Sequence, residues 1–430
     1  MRGVGYAWGP VCPCVSGPGH QDGVVADPME AVRSLLDLRH RGRPEDIPAV
    51  LTEAAPYLDA VEISVLLIDY GQLSLWPLTG TAAAQVQVNG TAAGLAFTSS
   101  QLTRDDSDDG TWLWLPLLHG SERLGVLQVR TKEAPDADLD DDLQVIAALV
   151  AELIASRRFY GDAVEHTRRR LPMQLAAEII WNQLPPLTFA VDGTVVTAVL
   201  EPCYDVGGDA FDYAANGDVL HLALFDAVGH GIGASALTTL TLNTYRNARR
   251  SGLTLVDTYK SIDKWIRAQF PGSFVTAVMA EFDTRTGRYR RISAGHPVEL
   301  WLRDGRSMPV PRSPTALPLG LGHLVRRGPG VTEQQLEPGD ALVLYTDGIT
   351  EARDVHGELF GTDRLTDFVL DDLARLAPAA ETMRRLIHTI VSYENGELRD
   401  DATAAMLQWH ASGNRPVGHR QFSHRTAENG

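Results

Sequence analysis

The chain has 430 residues, 44% hydrophobic and 22% charged, with 55 acidic against 38 basic side chains and a formal net charge of -17. That length exceeds one ordinary domain, so two or three are expected, and the composition is that of a soluble globular protein. The acidic balance argues against nucleic acid or an anionic membrane as the main partner, because both need a basic footprint, and no apolar run approaches the roughly 18 residues that span a bilayer. The first residues, MRGVGYAWGP, lack a basic stretch followed by an apolar one, so no secretory signal is expected. Three cysteines, two of them (Cys12 and Cys14) in a Gly/Pro-rich segment, form no disulfide framework, and a reduced, cytoplasmic setting is expected. None of Cys12, Cys14 and Cys203 has an arginine six positions on, which excludes a cysteine-phosphatase loop.

Residues 1–27 read as a disordered tail. Helices are predicted over Met29–Arg39 and Pro48–Leu58, then strands over Val61–Tyr70 and Gln72–Leu78. Thr111–Leu118 and Arg123–Arg130 form a hairpin-like pair joined at HGSE. The acidic run Asp136–Asp142 reads as a solvated loop that also supplies charge to a helix N-terminus, and Leu143–Phe159 follows with strong helical periodicity. This order of elements, with GTAAGLAF (Gly90–Phe97), WLWLPLL (Trp112–Leu118) and RLGVLQV (Arg123–Val129), resembles a GAF sensor domain over about residues 28–160. The resemblance implies a small-molecule effector pocket or a dimer surface.

Residues 161–187 form a connector, predicted as a helix after Pro172 and stopped by Pro185-Pro186. Its apolar stripe, Met173, Ala176, Ala177, Ile180 and Leu184, suits either a core helix or a two-chain coil, which would make a homodimer through the connector. Beyond it, strands are predicted over Thr194–Pro202, Val219–Phe225, Phe274–Asp283, Arg288–Ala294, Val298–Arg303, Ala341–Tyr345 and Ala402–His410, with helical insertions at about 233–268 and 361–393. Short hairpins leave no room for parallel crossovers, so an antiparallel α/β/β/α sandwich is expected. Residues 411–430 read as a second disordered tail. The fold class is thus α+β: a GAF-like α/β sensor domain (28–160), a connector helix (161–187) and the sandwich (188–410).

Four aspartate-centred segments stand out in this half: VGGDAFDY (Val206–Tyr213), LFDAVGHG (Leu224–Gly231), LYTDGITEA (Leu344–Ala352) and LRDDAT (Leu398–Thr403). Most of these aspartates end an apolar run or sit beside a glycine turn, which aims a carboxylate out of a sheet edge. Carboxylates gathered from separate strands repel one another unless something positive lies among them, so the pattern points to a hard divalent metal site. Gly207, Gly208 and Gly348 suit a backbone that bends sharply beside a ligand.

In order and content these segments resemble the type 2C (PPM) metal-dependent protein phosphatases, within them the bacterial SpoIIE-type branch, over about residues 188–410. FVTAV (Phe274–Val278), SAGHP (Ser293–Pro297), PLGL (Pro318–Leu321), EPGDALVLYTDGITEAR (Glu337–Arg353) and ELFG (Glu358–Gly361) support it. The resemblance implies two Mn2+ or Mg2+ ions held by Asp209, Asp226, Asp347 and Asp400. Asp226 would bridge the ions, helped by the backbone carbonyl of Ala227. Two such ions about 4 Å apart hold a bridging hydroxide and clamp phosphate oxygens for in-line attack, so no side-chain nucleophile is needed.

It further implies a phosphoserine or phosphothreonine protein substrate, an anti-sigma-factor antagonist in a partner-switching pathway. A phosphoprotein-binding module without turnover is the alternative, and a nucleotide phosphodiesterase a third reading. Asp401 rivals Asp400 as ligand, and Asp212 reads as a turn or outer acid. His230 is either a proton donor to the leaving group or a helix cap, and His296 reads as structural. Ala210 and Phe211 replace the two aromatics usual after GGD, Val228 replaces a small polar residue before GHG, and Glu201-Pro202 lacks a phosphate-gripping arginine.

Overall fold

The structure, a computed structural model, describes residues 27–79, 85–311, 316–326, 328–396 and 398–410. The two expected tails lie outside the described residues except for Asp27, whose carboxylate caps the first helix by accepting from Met29 N at 3.2 Å. Among the described residues no helix is long and apolar enough to cross a membrane.

The N-terminal unit runs α1 (Pro28–Arg41), α2 (Ile47–Ala54), β1 (Ala60–Ile68), β2 (Ser74–Pro77), β3 (Val86–Gln87), α3 (Ala92–Ser99), β4 (Thr103–Ser107), β5 (Gly110–His119), β6 (Glu122–Thr131) and α4 (Ala137–Arg157). Its six strands pair antiparallel in the order β3-β2-β1-β6-β5-β4. One face packs on α1, α2 and α4 through Leu35, Leu51, Val65, Leu127, Ile146 and Val150; the other packs on α3 through Leu66, Phe97 and Val126. The layout is helices on both faces of an antiparallel sheet, and the GAF assignment rests on the sequence motifs. The acidic run is a helix start and not a loop. Asp136 accepts from Leu139 N at 2.8 Å as the N-cap of α4, and Asp138 and Asp140 lie in the first turn, where carboxylates complement the positive helix end.

The connector differs from the expected helix. It breaks into α5 (Ala163–Arg168) and α6 (Leu175–Trp181), six and seven residues long. Ala177 and Ile180 are buried against Leu200 and Val206 of the following unit. The apolar stripe is thereby occupied within the chain, and a seven-residue helix is too short for a coil seam, so the two-chain reading falls.

The C-terminal unit comprises β7 (Thr188–Val191), β8 (Thr194–Glu201), β9 (Asp209–Asn216), β10 (Val219–Ala227), α7 (Gly231–Arg250), α8 (Leu255–Gln269), β11 (Val275–Asp283), β12 (Arg288–Ala294), β13 (Leu300–Arg303), β14 (Arg306–Met308), β15 (Thr332–Gln335), β16 (Ala341–Tyr345), α9 (Asp347–Thr350), α10 (Gly361–Ala374), α11 (Ala379–Tyr393) and β17 (Ala402–Trp409). Two antiparallel sheets result, ordered β15-β12-β11-β10-β9 and β14-β13-β16-β17-β8-β7. Strand β10 shows why they stack. Leu220, Leu222 and Leu224 enter the core between the sheets, while Ala223, Phe225 and Ala227 face α7 and α8. That period of two, apolar on both faces, is what a strand covered on both sides requires. Helices α10 and α11 cover the second sheet. The expected four-layer sandwich is formed, each long insertion being a helix pair.

The two units meet on α11. Arg384, with only 3% of its side chain exposed, donates to Gln72 O at 3.1 Å and Asn89 Oδ1 at 2.8 Å. His388 Nε2 donates to Gly71 O at 2.8 Å, and Arg123 donates to Ala380 O at 3.1 Å.

Removing a buried anchor between the sheets tests the layering. Leu222→Ala should cost about 2–5 kcal/mol, read as a lower urea midpoint by circular dichroism, because the rigid facing sheet cannot collapse into the cavity.

Candidate active site

The four segments converge at one end of the sandwich. Asp209 begins β9 and stands directly opposite Asp226, near the end of β10, in the antiparallel register. Asp347 opens α9 straight after β16 of the second sheet. Asp400 and Asp401 precede β17, which pairs with β16. The ends of β9, β10, β16 and β17 thus place five carboxylates around one edge.

Asp401 and Asp400 do different work. Asp401 Oδ2 accepts from three successive backbone amides, Gly207 N at 3.0 Å, Gly208 N at 2.7 Å and Asp209 N at 3.2 Å. It is the anchor of the GGD loop. Asp400 is exposed, and its charge acts on both Asp347 and Asp226. The glycines serve close approach and not a sharp bend, since Gly207, Gly208 and Gly348 all avoid positive φ. A Cβ on Gly208 would lie 2.7 Å from Ala227 O, and one on Gly348 2.1 Å from Asp401 O.

Two threonines orient the buried acids. Thr346 Oγ1 donates to Asp209 Oδ2 at 2.9 Å and accepts from Thr403 N at 3.0 Å, tying β9 to the β16–β17 pair. Thr276 on β11 donates to Asp226 Oδ2 at 3.1 Å. Sequence reasoning assigned neither a role; their only signal was membership of the TDG and FVTAV segments. Asp212 is turned away from the site. It is 2% exposed and pairs with Arg246 at 2.7 Å and Arg249 at 2.6 Å, fastening β9 to α7. His230 occupies the N-cap position of α7, yet its side chain makes no capping hydrogen bond and is exposed. The capping alternative therefore lacks its bond.

Electrostatics set the chemistry of this edge. Burial, then the charges of Asp226 and Asp401, hold the Asp209 carboxyl well above the ordinary carboxylate range. Burial and then Asp347 raise Asp226; burial and then Asp400 raise Asp347. Acids gathered this way hold protons or a cation. Among the described residues no three His, Cys, Asp or Glu side chains close tightly enough to enclose an ion by themselves. An all-oxygen set is the donor chemistry of Mg2+ or Mn2+, which keep several waters and take few carboxylates each. The donor set fits that group.

The profile of the Stage II sporulation protein E (SpoIIE) family matches residues 216–410. Over residues 216–410, most of the C-terminal unit, the chain is thus similar to the SpoIIE family. Asp226, Asp347 and Asp400 fall inside the match, and Asp209 lies just before it. The phosphoserine phosphatase RsbU of Bacillus subtilis is 22% identical over 214 residues, covering 50% of this chain and 62% of the relative. Protein IcfG of Synechocystis is 24% identical over 265 residues, 54% of this chain and 41% of the relative. The chain thus spans less than two thirds of the length of these curated relatives. Among solved structures, the RsbU and RsbW domains of a Mycobacterium tuberculosis protein align at 27% identity and TM-score 0.46, covering 51% of this chain and 62% of that one.

The two adjacent aspartates ahead of β17 can be separated by stability. Asp401→Ala strands three amides and should lower the urea midpoint by roughly 1–3 kcal/mol equivalent. Asp400→Ala, exposed and repelled by its neighbours, should leave the midpoint unchanged or raise it.

Proposed function

We propose that the chain is a metal-dependent protein serine/threonine phosphatase whose activity is set by its N-terminal unit. The observation that carries this reading is the meeting of Asp209, Asp226, Asp347 and Asp400, from four strand ends of two sheets, at one partly buried edge. A binding module without turnover would have no use for so many mutually repelling carboxylates, whose assembly costs stability.

When bound, two Mn2+ or Mg2+ ions supply positive charge to phosphoryl oxygens and activate water at neutral pH. Asp209 and Asp226, fixed by Thr346 and Thr276, hold them from the first sheet with the Ala227 carbonyl, and Asp347 and Asp400 from the second. Asp401 takes no part in ligation; it holds the loop that carries Asp209. His230, exposed at the start of α7, donates the proton to the departing serine or threonine oxygen. No arginine near Glu201-Pro202 grips the phosphate, so substrate affinity rests on the protein surface around it. The substrate class is a phosphorylated regulatory protein, an anti-sigma-factor antagonist, in keeping with the phosphoserine phosphatase named among the relatives.

Regulation has a physical route. The Gly71–Gln72 turn and Asn89 grip α11 through His388 and Arg384. Just past α11, Glu394 accepts from Arg353 N at 2.8 Å and Arg399 N at 3.0 Å, in the segments that follow Asp347 and precede Asp400. A shift of α11 driven by an effector in the N-terminal unit therefore moves both ligand loops, changing the population of the metal-competent form.

With Mn2+, the full chain should hydrolyse an aryl phosphate and a phosphoserine peptide, and chelation should abolish both. Asp226→Asn and Asp347→Asn should each lower kcat by at least 100-fold; wild-type rates in both would remove the metal assignment. Arg384→Ala should change the rate or the Mn2+ concentration for half-activity, and an unchanged profile would remove α11 as the route.

A further inference from the structure

Two motifs have no part in the reading above, SAGHP and PLGL, and FVTAV enters it only through Thr276. They form one cluster behind Asp226. Gly295 of SAGHP adopts φ +67°, and a Cβ there would lie 2.6 Å from Pro318 of PLGL. Val275 and Leu319 exchange backbone hydrogen bonds at 3.0 and 2.8 Å. The turn delivers His296, which is 7% exposed, to the side of Thr276, with Nδ1 3.0 Å from Thr276 Oγ1. Ser293 Oγ donates to His296 O at 3.1 Å and steadies the turn.

The hydrogen bonds around Thr276 have one consistent direction. A threonine hydroxyl has a single proton, and two acceptors compete for it, Asp226 Oδ2 at 3.1 Å and His296 Nδ1 at 3.0 Å. With a cation bound the Asp226 carboxylate would be ionised and so the stronger acceptor, since charge-assisted bonds are about twice as strong as neutral ones. The hydroxyl then accepts from the ring, which places the imidazole proton on Nδ1. Burial pushes the His296 pKa down to about 3, so the ring is neutral and carries only that one proton. Its Nε2 makes no geometrically acceptable hydrogen bond, although the Tyr345 backbone lies nearby. The Nδ1–H form therefore gives up no well-formed bond at Nε2.

We propose that His296 is a positioning residue for metal binding, acting through the chain His296 Nδ1–H to Thr276 Oγ1–H to Asp226 Oδ2. The relay rests on the metal-site reading above. It fixes the plane of the Asp226 carboxylate and keeps it a good ligand, as hydrogen bonds to ligating carboxylates do in general. It also gives the three motifs a common purpose: FVTAV supplies the hydroxyl, SAGHP the imidazole, and PLGL the backing for the SAGHP turn.

The test is Mn2+ affinity of the full-length protein by electron paramagnetic resonance, joined to nitrogen-15 NMR of His296 in the chain with the diamagnetic ion Mg2+ added. Thr276→Val and His296→Ala should each weaken Mn2+ binding by about 10–100-fold. His296→Asn, with an amide N–H near the place of Nδ1–H, should recover most of that loss; His296→Gln, which imitates Nε2, should not. The NMR spectrum should show the Nδ1–H tautomer. An Nε2–H tautomer, or unchanged Mn2+ affinity in Thr276→Val, overturns the relay. Asp226→Asn separates this failure from the larger one. If it abolishes Mn2+ binding while Thr276→Val does not, the relay alone is wrong; if it too leaves affinity intact, the metal site itself is wrong.

Discussion

A single carboxylate oxygen holds the two sheets in register at their functional end. Asp401 Oδ2, at the entrance to β17 of one sheet, accepts from three successive amides of the loop that opens β9 of the other. Few side chains can satisfy three N–H groups at once; an ionised carboxylate can, because it is a pure acceptor with room for several donors. The loop must then pass close to Asp401 and to Ala227, and glycine is the residue that permits it at Gly208. Gly348 makes the matching approach from the far side, over the Asp401 carbonyl. With Asp401 turned inward to the loop, Asp400 is left on the open side of the chain, where its charge bears on Asp226 and Asp347.

That arrangement concentrates negative charge, and the fold answers it with neutral donors. Thr346 serves Asp209, Thr276 serves Asp226, and backbone amides serve Asp401. These bonds lower the carboxyl pKa values, yet burial and mutual repulsion outweigh them, and Asp209, Asp226, Asp347 and Asp401 all sit above their ordinary range. Hydroxyls orient an acid without neutralising it, whereas an arginine would do both and leave no charge for a cation. Asp212 shows the contrast on the same strand. Paired with Arg246 and Arg249, it is a fastening for α7 and has no charge to offer a ligand. The repulsion that costs the metal-free fold stability is the repulsion a bound cation would relieve, so the two are linked.

The layers of the fold were legible because they depend on local pattern. Alternation in VLHLALF and helical periodicity in residues 143–159 each survive any tertiary context that buries one or two faces. What was not legible depends on partners far along the chain. Asp400 and Asp401 are neighbours of identical chemistry, and only the approach of a loop nearly 200 residues earlier distinguishes them. Asp212 resembled an outer acid until arginines on α7 claimed it. Thr276 and Thr346 sit in strand-forming sequence, where threonine is expected for its β-propensity alone. The connector looked longer than it is because its apolar residues continue past each break. The chain there folds as two short helices whose stripe is satisfied by Leu200 and Val206.

The position of the junction between the two units follows from the same topology. Both Asp347 and Asp400 belong to the second sheet, and α11 is the helix whose C-terminal end leads directly into the Asp400 segment. At 15 residues it is about 22 Å long. A continuous helix of that length links the grip at Arg384 and His388 to Glu394 at its end. Glu394 is 9% exposed and spends both carboxylate oxygens on backbone amides, Arg353 N and Arg399 N. It cannot follow α11 without dragging one segment or releasing the other. The first sheet, carrying Asp209 and Asp226, has no such connection through α11 and is held instead by Asp401, Thr346 and Thr276. The site is thus divided into a pair of carboxylates fixed by hydrogen bonds and a pair in segments joined to α11 through Glu394. The proposed regulation would need that division, since an effector could change metal occupancy only if some ligands moved relative to the others.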